Sequence, residues 1–530
     1  MKIRNYNIYF STHTISGIII CAILYVIFFA GSFSFFKDEI SAWQSNSSYA
    51  NKPVDYTEYD KLLDSLQTGF DLHGRDIQFY LQKSEAYAYI NISSSKDTIL
   101  NKEHLEKNDS KYFNYDFVTK KSGDYQSTYD MGEFLYRLHF LAQLNQVPIK
   151  LGIAPFGYLI AGITSFLFLF ALITGLLLHW DKIVSNFFVF RPFNKWKTVW
   201  TDMHTALGVI GFPFQFIFAL TGIFLILNTV LALPFEKILY QENTEEMYQD
   251  LGFAHAASSE YSYKPLKNKI LIAPILEDAK KKWPHSEFKR ISLQNYGDQN
   301  MQIILESDPH YEKNFSGSGL LIIQAKDHKI ITEKSPNSDP TYVDQVRGIL
   351  YRLHFGDFGG YPLKIIYFIL GIMGCLVITS GILIWLVARN KNNVIPRKRK
   401  FNFWLANTYL AICLSMFPVT AFTFIAIKIS AVVNQAFIYK IYFWSWLILV
   451  TYFIIRRNLN RTNRESLLVG SLLSLAVPIV NGIMTQNWIY KSLVTGQTDI
   501  FIIDFLWLCL SIIGFIIYFK TTRYFNAKSA

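Results

Sequence analysis

The chain has 530 residues, 51% of them hydrophobic, and carries Lys+Arg 51 against Asp+Glu 40 for a formal net charge of +11. The apolar residues form long runs separated by polar stretches, which excludes an ordinary water-soluble fold and a disordered chain. The excess positive charge does not point to nucleic acid, because it sits in the short connections that follow every second apolar run, where it is a membrane-topology signal.

Eight runs are long enough for a hydrocarbon core of roughly 30 Å, near 14–36, 155–179, 205–233, 363–388, 403–427, 439–455, 466–488 and 500–519. Lys2 and Arg4 precede the first. Lys182, Arg191, Lys195 and Lys197 lie between the second and third, and Arg389, Lys391 and Arg397 to Lys400 follow the fourth. Arg456, Arg457, Arg461 and Arg464 follow the sixth, and Lys520 and Arg523 the eighth. The positive-inside rule then puts both termini in the cytoplasm and the long segments at about 37–154 and 234–361 on the other side of the membrane, which is the periplasm if that membrane is a bacterial inner one. The first run is read as an uncleaved span, since it lacks an Ala-x-Ala-like site and continues into Lys37-Asp38-Glu39.

The expected fold class is an α-helical polytopic membrane protein in which a span–α+β domain–span unit is duplicated and a four-span tail follows. In chain order this gives span 1 (1–36), a first periplasmic domain (37–154), spans 2 and 3 with a cytoplasmic link (155–233) and a second periplasmic domain (234–361). Span 4 with its basic link (362–400) and the four-span C-terminal region (401–530) complete it. In the second periplasmic segment Ile270 to Pro284 has helical patterning, followed by strand-like Phe288–Leu293, Met301–Leu305, Leu320–Gln324 and Lys329–Thr332, with a turn at Lys326-Asp327. The first has strand-like Ile77–Leu81, Ala86–Ile92 and Tyr115–Thr119, and a turn at Ser122-Gly123. Neither contains a nucleophile motif, a phosphate loop or a metal-ligand cluster. His73, His104, His255, His285, His310 and His328 are scattered there and read as ordinary surface or loop histidines.

The duplication is marked by a repeated hexapeptide, Leu135-Tyr136-Arg137-Leu138-His139-Phe140 and Leu350-Tyr351-Arg352-Leu353-His354-Phe355. His13 is followed by Gly17 and Gly31, and His204 by Gly208 and Gly222, at identical offsets. Gly31 and Gly222, about 27 Å along each helix, share a face with their histidines. Small residues there let a helix or a flat ligand approach. Spans two and four also end alike, in Ile173-Thr174-Gly175 and Ile378-Thr379-Ser380-Gly381. Both halves begin on the same side, so the repeat is parallel: His13 is level with His204 at the inner surface, and His139 with His354 at the outer. The extra residues at Ala142–Ile153 must then fold back to keep the outer pair level.

Two neutral imidazoles on facing helices suit the two axial positions of a haem iron. The four cysteines, Cys21, Cys375, Cys413 and Cys509, all lie in apolar runs without a Cys-x-x-Cys-His motif, so histidine must hold any redox cofactor. Two non-covalent b haems, one per histidine pair, are the expectation. A lone intramembrane histidine is more simply an interhelical hydrogen bond, but four in matched pairs favour ligation. Zinc wants four donors at one depth, which two separated pairs do not offer. His179, at the end of span two where the other half has Trp385, competes with His13 and His204 for the inner positions. Arg137 and Arg352 are placed to meet haem propionates or to anchor at the interface. No further catalytic residue is assigned. In the tail, which has no histidine, Asp504 is expected to face protein or a quinone site, and Lys428 to snorkel to the interface.

The His-x-x-x-Gly starts at His13 and His204, and the Leu-His element with Gly356, Gly359, Gly360 and Pro362, resemble the PepSY-associated transmembrane family. Within it the closest likeness is to the inner-membrane ferric-siderophore reductases. The helix–strand pattern at 270–332, with Ala279 and Trp283-Pro284, is similar to a PepSY module. The resemblance covers about residues 8–390 and leaves the tail outside; His139 departs from it, being followed by Phe140-Leu141-Ala142 rather than glycines. It implies a haem-dependent oxidoreductase that takes electrons from quinol or a cytoplasmic donor and reduces a periplasmic ferric-siderophore or other iron complex. Partners would then be the lipid bilayer, that complex and the donor, with no nucleic acid. Two alternatives are a non-enzymatic membrane protein binding an envelope partner and a transporter built on the tail around Asp504, for which Pro418 and Pro478 would interrupt the helices.

Overall fold

A computed structural model describes residues 2–49, 54–82, 85–98, 110–189, 191, 195–251, 259–309 and 314–529. The helices up to the first sheet segment are α1 (Ile3–Ser34), α2 (Lys37–Ser45) and α3 (Thr57–Gly69), followed by strands β1 (Ile77–Gln82), β2 (Tyr87–Ile92), β3 (Lys111–Asp116) and β4 (Lys121–Gly123). Then come α4 (Met131–His139), α5 (Phe156–His179), α6 (Ile183–Phe187), α7 (Trp196–Leu239), α8 (Thr244–Asp250) and α9 (Ala273–Lys282). Strands β5 (Phe288–Gln294), β6 (Gln302–Ser307), β7 (Gly319–Gln324) and β8 (Ile330–Lys334) precede α10 (Tyr342–Phe355) and α11 (Gly360–Arg389). The last five helices are α12 (Pro396–Ile429), α13 (Gln435–Arg456), α14 (Leu459–Thr485), α15 (Ile489–Val494) and α16 (Thr498–Ser529).

Among the described residues eight helices are long and apolar enough to cross a membrane, at every position where the sequence has an apolar run. They belong to a helical unit formed by residues 1–48, 129–233 and 353–530. Within it α1 packs against α5, α11 and α12, while α12 packs against α13 and α14, and α14 against α16. Spans one and three begin earlier than their apolar runs, so His13 and His204 lie inside α1 and α7 rather than at their starts. Pro418 and Pro478 sit within α12 and α14, which run on through them.

Residues 49–128 and 234–352 form the other unit. The two segments expected to be separate periplasmic domains instead share one eight-stranded antiparallel sheet, ordered β4-β3-β2-β1-β5-β6-β7-β8. The order is symmetric about its centre, where β1 pairs with β5 through Ile77↔Leu293 and Phe79↔Ile291. The reason is patterning: Ile77, Phe79 and Leu81 alternate inward on β1, as Ile291 and Leu293 do on β5, and neither strand buries that face alone. Tyr59, Leu62 and Leu63 of α3 and Ile275, Leu276 and Ala279 of α9 close over it in one core. The segment after β2 also differs from expectation. The strand predicted over Tyr115–Thr119 runs instead over Lys111–Asp116, and Ser122-Gly123 lies in β4 rather than in a turn. Asp116 sets the turn, its carboxylate accepting the backbone N–H of Val118 and Thr119. His104, His255 and His310 lie outside the described residues.

Candidate functional site

Four histidines of the helical unit stand in two facing pairs. The ring centres of His13 (α1) and His204 (α7) are 6.0 Å apart, and those of His139 (α4) and His354 (α10) are 5.9 Å apart. Among the described residues no hydrogen bond joins the two rings of either pair. Two imidazoles binding one metal from opposite sides, with metal–nitrogen bonds of about 2 Å, have ring centres about 6 Å apart.

Every Nδ1 has a fixed partner. His13 Nδ1 lies 2.9 Å from the Ala171 carbonyl of α5, and His204 Nδ1 lies 2.8 Å from the Val377 carbonyl of α11. His139 Nδ1 lies 2.8 Å from the Ile27 carbonyl of α1. A carbonyl only accepts, so Nδ1 carries the proton and donates, and the lone pair is left on Nε2. For His354 the partner is Thr221 Oγ1 at 2.7 Å. The Thr221 hydroxyl spends its one proton on the Ile217 carbonyl at 2.6 Å, so its oxygen accepts from His354 Nδ1. All four rings are thus in one tautomer with Nε2 available to a metal, the arrangement that ligating histidines use.

A local rule explains how an imidazole reaches a main-chain carbonyl inside another helix. The residue four positions after the accepting carbonyl lies directly above it on the same face, and three times that residue is glycine. Ala171 is followed by Gly175, Val377 by Gly381 and Ile27 by Gly31. A Cβ on Gly31 would lie 2.5 Å from His139 Nδ1, one on Gly175 3.0 Å from His13 Cε1, and one on Gly381 3.1 Å from His204 Cε1. Gly222 is less crowded, 4.0 Å from His354 Cε1 and 3.4 Å from Ser165 Oγ by the same measure. The matched offsets to Gly31 and Gly222 therefore mark where the imidazoles of His139 and His354 approach. Gly17 and Gly208, the other members of that pattern, have no atom within 4 Å of an added Cβ.

Hexapeptide geometry is kept by unlike residues. After α10 the chain turns at Gly356, whose φ is 63°. The equivalent position after α4 is Leu141, which takes the same left-handed conformation at φ 59°. The following residues fold back as a short turn, Ala142–Gln146, and Asn145 Oδ1 accepts the Gly157 N–H of α5 at 2.7 Å.

His179 ends α5 four residues beyond Gly175, while the rings that face each other near that glycine are those of His13 and His204. Arg137 donates to Glu133 Oε1 at 2.6 Å, and Lys37 Nζ lies 2.6 Å from Glu133 Oε2. Burial pushes the Glu133 carboxyl up, but the two cations outweigh it and hold it down at about 2. Arg352, in the sheet unit, donates to Asp308 at 2.9 Å. Both arginines thus have protein carboxylate partners. His73 Nε2, in the sheet unit, donates to the Tyr261 hydroxyl at 2.9 Å, whose own proton goes to Asp97 at 3.0 Å.

Sequence reading missed the partners. Thr221 is a fourth-position substitute for a bare carbonyl, and its counterpart by offset from His13 is Ala30, which explains why His139 bonds the backbone directly. The matched Gly175 and Gly381 were the available signal. Lys428 corrects another expectation: it does not snorkel but is buried, its Nζ donating to the Trp43 carbonyl and lying 4.0 Å from the Trp43 ring centre. Asp504 faces protein, fully buried, accepting from Trp43 Nε1 at 2.7 Å and Asn481 Nδ2 at 2.9 Å.

Among the described residues there is no cluster of three or more His, Cys, Asp or Glu that would hold a bare metal ion. Each pair therefore suits a metal that brings its other ligands with it, as haem iron does. No curated protein matches the chain. Residues 10–388, which hold both histidine pairs, match the PepSY-associated TM region, and the chain belongs to that family.

Proposed function

We propose that this protein is an inner-membrane di-haem oxidoreductase that passes electrons across the bilayer to a periplasmic ferric-siderophore. The observation that carries this reading is the pair of facing imidazole sets, 6.0 and 5.9 Å between ring centres, with every Nδ1 tied to a protein acceptor. His13 and His204 would hold one b haem, and His139 and His354 the other. Along α1 the two sites are separated by the 14 residues from His13 to Ile27, about 21 Å, which suits two relay centres at opposite membrane surfaces. Bound there, a haem supplies a reversible one-electron centre.

What the chain itself contributes is positioning. The Nδ1 bonds fix each ring's rotation and raise the basicity of Nε2, while Gly31, Gly175 and Gly381 give the rings room to lie against helix backbone. The reading takes the repeat as a parallel duplication, with both termini cytoplasmic and the sheet unit in the periplasm, on the strength of the basic connections. Donation from quinol or a cytoplasmic carrier, and reduction of a chelate that holds Fe(II) less tightly than Fe(III), complete it.

Protein purified from haem-replete cells should contain two b haems per chain and show a split or shifted α-band in a reduced-minus-oxidised spectrum. A colourless preparation would sink the proposal. Reoxidation of the reduced protein by a ferric-siderophore, followed as loss of that band, tests the substrate; haems that stay reduced in its presence would leave the cofactor reading standing and remove the siderophore.

A further inference from the structure

The four spans of 401–530 carry no histidine, yet they hold the helix that carries one. Phe134 of α4 is fully buried in an aromatic cage of α13, its ring centre 4.7 Å from Tyr442 and 5.8 Å from both Tyr439 and Phe443. A second connection runs through α2. Trp43 on that short helix donates Nε1–H to Asp504 of α16, and its carbonyl accepts from Lys428 of α12. Just beyond α2, Ser48 donates to Asp499 at 2.7 Å. On the side toward α4, Gln44 Oε1 accepts the Met131 N–H at 2.9 Å, and Lys37 pairs with Glu133. Gly132 lets the two helices touch: a Cβ there would collide with the Lys37 carbonyl and lie 3.0 Å from Ser41 Oγ.

None of these handles exists on the other copy of the hexapeptide. In α10 the positions of Gly132, Glu133 and Phe134 are taken by Arg347, Gly348 and Ile349, and Ile349 is 44% exposed. A generic packing role for the tail would not single out one of two repeated elements. Nor would it set a fully buried carboxylate, Asp504 of α16, against the short helix that braces α4, since an intramembrane ionisable group is costly and is retained for a use.

We propose that the C-terminal four spans position His139. They grip α4 directly at Phe134, and they fix α2 through Asp504 and Lys428 so that Trp43, Lys37 and Glu133 hold α4 in register with His354. Trp43, Glu133 and Phe134 are then positioning residues for the outer pair, and the tail is a part of that site. The spectroscopic arm of the test rests on the two-haem reading; the other arm does not.

The full chain is compared with Trp43→Phe, which deletes the donor to Asp504 but keeps a ring, and with the milder Phe134→Leu. The outer haem signal is the one lost in His354→Ala. Both variants should shift that signal in midpoint potential and in low-temperature EPR g values, leaving the inner signal in place, and should raise hydrogen exchange at 131–139. An unchanged outer signal with intact haem content overturns the proposal, even where exchange rises, because the tie would then be structural only. Equal movement of both signals also overturns it. Should the wild type hold no haem, the haem reading fails by itself, and unchanged exchange at 131–139 in both variants would still overturn the coupling of the tail to α4.

Discussion

The two copies of Leu-Tyr-Arg-Leu-His-Phe are identical in sequence and different in everything that holds them. On α4, Phe134 and Leu135 are fully buried, Arg137 pairs with Glu133 one turn back, and His139 bonds a main-chain carbonyl. On α10, Ile349 is exposed, Arg352 reaches to Asp308 before β7, and His354 bonds a hydroxyl. The shared residues deliver the shared product, two imidazoles facing each other. The differing neighbours decide what each imidazole is answerable to: one to the C-terminal spans, the other to Thr221 of α7. A repeated motif thus fixes chemistry, and its surroundings distribute control over it.

The comparison breaks most completely if removing either ring gives different results. His139→Ala and His354→Ala should each abolish the outer haem and leave the inner one reducible, measured by haem content and difference spectra; loss of both haems in either variant would refute the pairing. The glycines sharpen it next. Gly31→Ala puts a methyl 2.5 Å from His139 Nδ1 and should displace the ring and deplete the outer haem. Gly222→Ala meets only ordinary contacts and should leave the spectrum unchanged. Third, Thr221→Ala leaves a buried imidazole N–H without its acceptor, at a cost of about 1–3 kcal/mol. It should shift the outer potential, whereas Thr221→Ser should restore it.

The smallest effect concerns pH. The Glu133 carboxyl is held at about 2, below the usual carboxylate value of about 4.3. Its contribution to stability is therefore complete above the unfolded value and lost as pH falls from there through the folded one. Thermal unfolding in detergent should show a destabilisation over that window in the wild type that is reduced in Glu133→Gln. Gly348 stands at the equivalent place in α10, where the comparable carboxylate is instead Asp344, which burial pushes up but hydrogen bonds from Lys334 and Thr341 hold below its ordinary value.

What was readable in the sequence was whatever side chains repeat. The eight long apolar helices among the described residues follow from apolar run length, and the nearness of His13 to His204 and of His139 to His354 is what their equal offsets in the sequence suggest. The partners of those rings were not readable, because three of the four are main-chain carbonyls and any residue supplies one. Only the glycine one turn later betrays them. Leu141 hid its left-handed conformation for a related reason: a leucine at φ 59° costs on the order of 1–2 kcal/mol, so nothing local announces it. It is the packing of Leu141, itself buried, and the contact its carbonyl makes at Gly157 that impose it. Lys428 was misjudged because its position near a helix end is where a lysine ordinarily reaches water, and its partner, the Trp43 carbonyl, is 385 residues away. The single sheet escaped for the same kind of reason, its central pairing joining strands from different segments.

That central pairing has a consequence for how the molecule is made. β1 emerges early, but its partner β5 lies roughly 200 residues later in the chain, beyond two further spans. At roughly 5–20 residues per second the ribosome needs some ten to forty seconds to bridge the interval. Throughout it, β1 is the exposed edge of a half-sheet whose inward face has no cover from α9. The nascent half is therefore a natural client for a chaperone on the side where it is delivered, and the arrival of α9 and β5 behind spans two and three is the step that relieves it.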